Sequence, residues 1–481
     1  MADRVLESRM SAPTTLEDFG RVRIGIHQVE YSVGVDIPVI HIFGRDVTGR
    51  AVRVDVTGFR PYFYAPASQV DEKHVPPEVD LEPGTTYRSI QGEALRRLYT
   101  RRPGDVRDVR DRYQHFEADI PFATRFMIDC GLRAGMELPA GTTVIDYREL
   151  APSEIAAPAR TCIMDIECVD EQGFPEPERD PIVCVTCWDS FDGDYTTLLW
   201  QPGGVPGDAP VDDPGLRIHE QHRVIRYPDE VAMLRGLVGY IRERDPDILS
   251  GWNFVEFDIP YILQRMAALG LRGEDLARLP GQTTRNAVRG RSIFDLLGAY
   301  RKMHQAQKES YRLDAVAEDE LGETKVRYSG TITELWRSDP ARLVAYNCRD
   351  VELCVGIDKK NNIIEFYREI ARYVGCPLDR TLNSSNVIDI YVLRKASGMF
   401  VLPSKGFSAG DEFEGATVFE PATGLRENIV VLDLKSLYPM AMMTINASPE
   451  TKNPDGELRA PNGIRFSREP DGLTRSIISE L

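Results

Sequence analysis

The stretch TCIMDIECV, from Thr161 to Val169, decides the fold of this chain. Its residues are nearly all apolar, which is typical of a strand buried on both faces of a sheet. Two acids interrupt it, Asp165 and Glu167. Side chains two positions apart on a strand leave the same face, so these carboxylates are expected side by side. They would repel each other without a cation between them, although polar residues at a strand end explain an isolated pair equally well.

Strands and helices alternate beyond this stretch. PIVCVTCWD and TTLLW predict two further strands, and a helix is expected over Glu230–Arg244. A short strand in DILSGWN and a helix in IPYILQRMAALG follow. A long helical pattern then starts at Pro340, with Asp339 or Ser338 as its cap. This alternation predicts an α/β layer structure.

The residues before this unit predict a β-rich domain. From Arg21 to Ala65, apolar and polar residues alternate with the period of a strand. The stretch Gly92–Tyr113 is predicted to be helical and basic, as in a solvated helix face. The stretch Ala151–Ala159, rich in proline and alanine, predicts a linker. Near the other end, helices are expected around Asn386–Ser397 and in GLTRSIISEL.

The composition is that of a globular chain, with an acidic balance. The net charge is −17, which argues against a nucleic-acid partner, but a total charge does not tell where the cations lie. The chain has ten lysines and 48 arginines, and the arginine guanidinium binds phosphate better because it donates two parallel hydrogen bonds. An acidic, lysine-poor surface is one way to stay soluble in high salt, and the base composition of the genome is another explanation of the arginines.

Cysteine usage and hydropathy set the expected location. The eight cysteines have no regular spacing, so a reduced, cytoplasmic setting is expected, and the pair Cys184 and Cys187 is interpreted as structural. No signal sequence or long apolar run is found, so no membrane partner is predicted.

Further carboxylates follow the first pair in order along the chain. NFVEFD places Asn253 and Asp258 where a strand meets a helix. In YNCRD, Tyr346 and Asp350 are four apart and share a helix face. Four converging carboxylates would suit two hard divalent cations, Mg²⁺ or Mn²⁺, which can serve hydrolysis of a phosphodiester. The seven histidines stay out of these motifs.

With these motifs the chain resembles the family B DNA polymerases, and the haloarchaeal members look closest. DIE at Asp165–Glu167, NFVEFD at Asn253–Asp258 and YNCRD at Tyr346–Asp350 are similar to the three proofreading exonuclease motifs, in family order. DLKSLYP at Asp433–Pro439 resembles the first polymerase motif.

The resemblance implies a 3′ to 5′ exonuclease of the ribonuclease-H-like fold with two Mg²⁺ or Mn²⁺ ions. By the residue match, Asp165, Glu167 and Asp350 would hold the catalytic metal, Asp165 and Asp258 the second, while Tyr346 positions the water and Asn253 supports the strand end.

The resemblance extends to the polymerase palm. Asp433 would bind metal and a deoxynucleotide triphosphate, and Tyr438 would stack under the sugar and exclude a ribose 2′-hydroxyl. The nucleotide site implied is Asp433, Leu434, Ser436, Leu437 and Tyr438. FEGATV at Phe413–Val418 looks like the family's linker motif, with Phe413 where a tyrosine is usual.

FRPYFYA and DIPFATR resemble the segments that line a template-uracil pocket in archaeal members. The pocket residues implied are Pro61, Tyr62, Val106, Ile120, Pro121, Phe122 and Arg125. The alternative is that these aromatics and prolines only pack the β-rich domain.

The fold class expected is thus α/β within a multidomain α+β chain. Four segments are predicted: a β-rich N-terminal domain that senses template uracil (1–155), the exonuclease domain (156–362), a helical segment returning to the first domain (363–405) and an incomplete start of the palm (406–481).

The function expected is that of the N-terminal part of a replicative DNA polymerase, competent at most as an exonuclease because the family's later polymerase motifs are not found. The alternative is a non-catalytic DNA-binding module that senses uracil. The partners expected are primer-template DNA and single-stranded 3′ ends, nucleotide triphosphates only in the complete polymerase, a second chain or the missing C-terminal half, and a sliding clamp. A nucleoid-associated location is expected.

Overall fold

The computed structural model describes residues 20–34, 37–201, 205, 209–281, 287–304, 307–406 and 418–480. Two compact units divide the chain. The first takes in Met1–Phe59 and Ala123–Ile390, and the second Arg60–Phe122 and Tyr391–Leu481. The predicted division into four segments stays a prediction. None of the helices in the described ranges has the length and apolarity needed to span a bilayer.

The described residues between 20 and 153 are rich in strands, as predicted. One sheet, in the first unit, has the order β10-β8-β1-β2-β3-β9, and another, in the second unit, pairs β4, β5 and β6 with β7. The elements are β1 (Arg21–Val33), β2 (Pro38–Asp46), β3 (Ala51–Thr57), β4 (Tyr62–Pro66), β5 (Val79–Leu81), β6 (Tyr87–Arg88), β7 (Ala94–Thr100), α1 (Pro103–Arg110), α2 (Phe122–Asp129), β8 (Gly135–Pro139), β9 (Val144–Asp146) and β10 (Ala151–Ser153).

The helical prediction for Gly92–Tyr113 was right only in its second part, where α1 forms, and the linker prediction for Ala151–Ala159 was wrong. The stretch Gly92–Tyr113 begins with strand β7, because Leu95 and Leu98, whose spacing of three suggests a helix, are instead buried in a strand that pairs on both sides. The stretch Ala151–Ala159 is not a free linker: it opens with β10, which pairs with β8, and Ile155 and Ala157 are buried. In both cases tertiary packing overrides local propensity.

A mixed sheet of seven strands forms the centre of the first unit, which confirms the predicted α/β class. Its order is β14-β15-β13-β12-β11-β16-β17, with β11 antiparallel to β12 and parallel to β16. The elements are β11 (Thr161–Cys168), β12 (Ile182–Asp189), β13 (Tyr195–Trp200), β14 (Val211–Asp212), β15 (His222–Tyr227), α3 (Glu230–Arg244), β16 (Ile248–Gly251), α4 (Asp258–Ala268), β17 (Ser292–Asp295), α5 (Leu296–Met303), α6 (Leu313–Leu321), α7 (Ile332–Ser338), α8 (Pro340–Asn361), α9 (Ile363–Val374) and α10 (Ser384–Ala396).

Strand β11 lies inside this sheet with helices packed on both faces. Met164 and Ile166 belong to the core that includes Leu237 of α3 and Ile262 of α4. Ile163 belongs instead to the core that includes Val351 of α8. Because side chains alternate along a strand, Asp165 and Glu167 share the α8 side with Ile163.

The long helical pattern contains two helices. Asp339 caps α8 by accepting a hydrogen bond from the Arg342 amide at 3.1 Å, and Pro340 is its first residue, as predicted. Asn362 then takes a left-handed conformation, with φ of 52°, which ends α8 and starts α9. This break lies beyond Asp350 and leaves the site face of α8 continuous.

The last described residues contain α11 (Leu437–Thr444), β18 (Leu458–Arg459), β19 (Arg465–Phe466) and α12 (Leu473–Glu480). Residues 430–434, VVLDL, form no strand, and Val431 and Leu432 are 86% and 89% exposed. An apolar strand needs a ladder partner and a covered face, and the described ranges supply neither here.

Candidate active site

The first exonuclease-like motif and α8 meet on one face of the central sheet. Oxygens of Asp165, Glu167 and Asp350 all lie within 4.8 Å of one another. Glu167 and Asp350 are buried, with 9% and 2% exposure, and Asp165 is partly buried. The strand pair and the helical acid therefore converge as the sequence predicted.

Helix α8 also supplies Tyr346 and an amide that the sequence interpretation missed. The Asn347 side-chain amide donates to Asp165 Oδ2 at 2.8 Å, and its Oδ1 accepts the Cys184 thiol at 3.5 Å. Asn347 is fully buried, so this amide fixes the rotamer of Asp165. Its position beside Tyr346 was the only available signal, since a single asparagine has no pattern of its own. The interpretation of Cys184 as a structural residue agrees with this contact.

Lys325 is the second residue that the sequence interpretation missed. Its ammonium donates to Asp350 Oδ2 at 2.5 Å and to the Tyr346 hydroxyl at 3.3 Å. The Tyr328 ring packs edge-on against the Tyr346 ring with centroids 5.0 Å apart. Lys325 lies in a polar loop between α6 and α7, where a lysine carries no recognisable spacing.

Burial and mutual repulsion make the carboxylates hard to ionise. Burial, followed by the charge of Asp350, raises the pKa of Asp165 to about 7. Burial, followed by the charge of Asp165, also raises the pKa of Glu167 well above its usual range. Burial raises the pKa of Asp350 as well, although Lys325 opposes the shift. The single ammonium of Lys325 therefore neutralises only part of the negative charge of these three acids.

Asp258 and Asn253 lie at the neighbouring strand end. The Ile166 amide of β11 donates to Asp258 Oδ1 at 3.2 Å, so Asp258 lies beside the strand, but it is not one of the three acids within 4.8 Å. Burial and then the charge of Asp165 raise the pKa of Asp258. Asn253 is exposed, with φ of 63°, and its carbonyl accepts the Phe257 amide at 3.0 Å. Its observed contact thus shapes the turn into α4.

An aromatic pair lies next to these residues. Phe257 directly precedes Asp258, and its ring is 5.8 Å from that of Phe174, edge to face. Phe174 is 78% exposed, which is unusual for a phenylalanine. It lies in the loop between β11 and β12. This loop therefore exposes an apolar ring that Phe257 supports from the turn before α4.

The donor set fits hard divalent cations. Asp350 Oδ1 is buried and has no hydrogen-bond partner among the described residues. A buried carboxylate oxygen without a partner is costly unless a cation binds it. The surrounding donors are carboxylate oxygens, the ligands preferred by Mg²⁺ and Mn²⁺.

The palm-like residues are not gathered into a comparable site. Asp433 and the other residues of the predicted nucleotide site are exposed, and Tyr438 is 70% exposed at the start of α11. Within the described ranges, no group of three potential metal ligands includes Asp433. The motif FEGATV lies outside the described residues except for Val418.

The residues of the predicted uracil pocket fall in both units. Arg125 belongs to the first unit and the other six residues to the second. Tyr62 and Phe122 are buried, with 7% and 6% exposure, and the Arg97 guanidinium lies 5.0 Å from the Tyr62 ring. Val106 and Ile120 are partly buried, and Pro121 is exposed. Whether these residues bind a base stays a prediction.

The fold and the site together define an α/β protein with a carboxylate cluster suited to divalent cations. Two family models match the chain. The model described as DNA polymerase family B, exonuclease domain, matches residues 113–316, and that of DNA polymerase family B matches residues 377–471. Together they take in more than half of the chain, and the first includes Asp165, Glu167 and Asp258.

Several known proteins are similar over most of the chain. DNA polymerase 1 of Pyrococcus abyssi is 29% identical over 486 aligned residues, covering 92% of this chain and 58% of the relative. The DNA polymerase delta catalytic subunit of Dictyostelium discoideum is 30% identical, covering 77% of this chain and 38% of the relative. The structure of the family B DNA polymerase from Pyrobaculum calidifontis matches with a TM-score of 0.76 and 26% identity, covering 95% of this chain and 62% of that protein.

The chain belongs to the family B DNA polymerases and carries the exonuclease domain of that family. It spans less than two thirds of the length of each of these relatives.

Proposed function

We propose that this chain hydrolyses single-stranded 3′ ends of DNA, as the proofreading exonuclease of a replicative family B polymerase. The observation that carries the proposal is the convergence of Asp165, Glu167 and Asp350 within 4.8 Å, with a buried Asp350 oxygen that has no partner in the described part of the chain. A set of buried acids that one ammonium neutralises only in part is costly for folding and useful for binding cations.

Each residue has a role within this proposal. Asp165, Glu167 and Asp350 would hold one divalent ion, and Asp165 with Asp258 a second. Two Mg²⁺ or Mn²⁺ ions supply a lowered water pKa and stabilise the charge on the leaving oxygen. Asn347 holds Asp165 in its rotamer through the 2.8 Å hydrogen bond.

Tyr346 and Lys325 support the reaction without binding metal. Burial, followed by the charge of Asp350, raises the pKa of the Tyr346 phenol, so its hydroxyl stays protonated and can hold a water by a hydrogen bond. Although burial opposes it, the Asp350 charge raises the pKa of Lys325, which therefore stays an ammonium. Such a cation can stabilise the negative charge that develops on the phosphodiester.

The polymerase part of the proposal rests on the family alone. Asp433 and Tyr438 would bind a deoxynucleotide triphosphate beside primer-template DNA. The other palm residues would come from a continuation of the same polypeptide or from a second polypeptide. Template-uracil sensing, a sliding-clamp contact, a nucleoid location and salt adaptation through the acidic, lysine-poor composition are further parts of this proposal.

Digestion of a 5′-labelled single-stranded oligonucleotide with Mg²⁺ tests the proposal. The wild-type chain should shorten it from the 3′ end, and chelation should stop the reaction. The double variant Asp165→Ala, Glu167→Ala should be inactive, because it removes two of the three clustered acids.

The matched control is Glu365→Ala, Glu369→Ala on α9, two surface acids that pair with Arg368 and Arg372. This variant should digest DNA at the wild-type rate. Equal digestion by the Asp165, Glu167 double variant would defeat the site assignment. DNA binding without any digestion by the wild type would favour the non-catalytic alternative.

A further inference from the structure

A second group of metal-ligating side chains lies on the other side of α8 from the carboxylate site. One ligand atom each from His219, Cys348 and Glu352 lies within 4.8 Å of the other two. Cys348 and Glu352 are four apart and share a face of α8. At 3.6 residues per turn, that face is roughly opposite the one that carries Tyr346 and Asp350.

The histidine of this group is held in place from the sheet. His219 lies in the turn before β15, and its carbonyl accepts the His222 amide at 3.1 Å. Its ring packs edge-on against Tyr195 of β13, with centroids 5.1 Å apart. Its Nε2 lies 3.4 Å from Glu352 Oε1. The imidazole is therefore oriented toward α8 by packing on one side and by the acid on the other.

The two helical ligands each keep a free binding position. Cys348 is fully buried and forms no disulfide with another cysteine of the described residues. Arg349 donates to Glu352 Oε2 at 3.0 Å, which leaves Oε1 directed to His219. His222 does not join the group, because its Nδ1 accepts the Ile218 amide and its Nε2 bonds to the Thr197 hydroxyl.

We propose that His219, Cys348 and Glu352 bind one divalent transition metal of the zinc class. An imidazole, a thiolate and a carboxylate form a ligand set suited to Zn²⁺, whereas Mg²⁺ prefers oxygen ligands. Zinc bonds are about 2.0–2.3 Å long, so ligand atoms on one ion lie about 3–4 Å apart. The 3.4 Å between His219 and Glu352 already has this spacing.

A metal here would tie the turn before β15 to α8. His219 and Glu352 are partly exposed, with 32% and 23% side-chain exposure, so water can complete the coordination. The other face of the same helix carries Asp350 and Tyr346. A metal bound here would therefore fix the helix that completes the carboxylate cluster, and the site is independent of the Mg²⁺ or Mn²⁺ ions proposed there.

Cobalt titration of the full chain, after dialysis against a chelator, tests this proposal. Co²⁺ bound to a thiolate gives a charge-transfer absorption that carboxylate ligands cannot give, so the active-site acids do not contribute to it. One equivalent of Co²⁺ should produce the band, and Zn²⁺ should displace it. Cys348→Ser should abolish the band, and His219→Gln should weaken Co²⁺ binding at least about ten-fold.

The matched controls are Cys130→Ser and His74→Gln, a cysteine and a surface histidine outside the group, and both should bind Co²⁺ as the wild type does. Far-ultraviolet circular dichroism checks that each variant is folded, and the partly exposed His219 provides a substitution outside the core. Absence of the band in the wild type, its persistence in Cys348→Ser, or unchanged affinity in His219→Gln would overturn the proposal.

Discussion

Lys325 brings a permanent cation into a group of buried acids. It contacts Asp350 at 2.5 Å and the Tyr346 hydroxyl at 3.3 Å, so one ammonium orients both functional groups of α8. Its side chain is 27% exposed, which leaves it accessible to a bound phosphate. Lysine is a compact point charge with three donors, so a neutral residue of similar length keeps the packing and removes only the charge.

Lys325→Met should therefore lower the exonuclease kcat by about 10²–10³-fold. This is the usual effect of removing one oriented donor from the negative charge that develops in the transition state. The Michaelis constant for single-stranded DNA should change much less. Initial-rate kinetics at saturating Mg²⁺ measure both. Lys308→Met, which removes a lysine paired with Asp319 and Glu320, is the control and should keep the wild-type kcat. A kcat equal to that of this control would refute the role of Lys325.

Asp165 should make the metal-free protein less stable as the pH rises. Its pKa is near 3.8 when unfolded and about 7 when folded, so between these values the folded state binds more protons than the unfolded state. By linkage, the free energy of unfolding then falls with rising pH across roughly pH 4–7. Below pH 4 the difference disappears, because the group is protonated in both states.

Between about pH 4 and 7, the free energy of unfolding of Asp165→Asn should decrease by about 2–4 kcal/mol less than that of the wild type. Each unit of pKa shift corresponds to about 1.4 kcal/mol. The asparagine keeps the oxygen that accepts the Asn347 amide. Urea unfolding in a chelator at several pH values measures the slope. Asp108→Asn, on the exposed side of α1, should leave the slope unchanged. An unaltered slope in Asp165→Asn would show that this group does not titrate in the window.

At the scale of elements, the strands and helices that could be predicted are those with a recognisable pattern of residues along the sequence. Strand β11 is apolar on both faces, and α8 is preceded by a capping Asp339 and a proline, so both were predicted. Strand β7 was not, because Leu95 and Leu98 have helical spacing and only its neighbouring strands decide its conformation. Lys325 could not be found either, because a loop residue meets Asp350 only through the tertiary fold.

The loop between β11 and β12 should contribute a stacking surface for DNA. Phe174 is 78% exposed and is supported edge-on by Phe257, next to Asp258. Phe174→Ala should weaken binding of a single-stranded oligonucleotide by about 1–3 kcal/mol, the usual value for one stacked base. Fluorescence anisotropy in Ca²⁺, without turnover, measures the dissociation constant. Phe191→Ala, at a partly exposed phenylalanine in another turn, is the control, and equal affinities of the two variants would exclude stacking on Phe174.

At the scale of the whole molecule, a buried charge network joins the two sheets of the first unit. Asp247, at the start of β16, has no exposed side-chain surface. It accepts hydrogen bonds from Arg45 of β2 at 2.5 Å, from the Arg160 amide at 2.8 Å and from Arg278 at 2.9 Å. The N-terminal sheet and the central sheet therefore share one carboxylate, which explains why residues so far apart in sequence belong to one compact unit.

Asp247→Asn should destabilise the first unit by about 3–5 kcal/mol, because it leaves the buried Arg45 guanidinium without its counter-charge. Both sheets should still unfold in one transition, because the substitution removes one contact between them and does not divide the unit into two domains. The four tryptophans all lie in this unit, so their fluorescence in urea reports its unfolding. Asp275→Asn, at an exposed pair with Arg242 and Arg272, should cost less than about 1 kcal/mol. If the two variants were equally stable, the network would hold the sheets together no more strongly than a surface ion pair does.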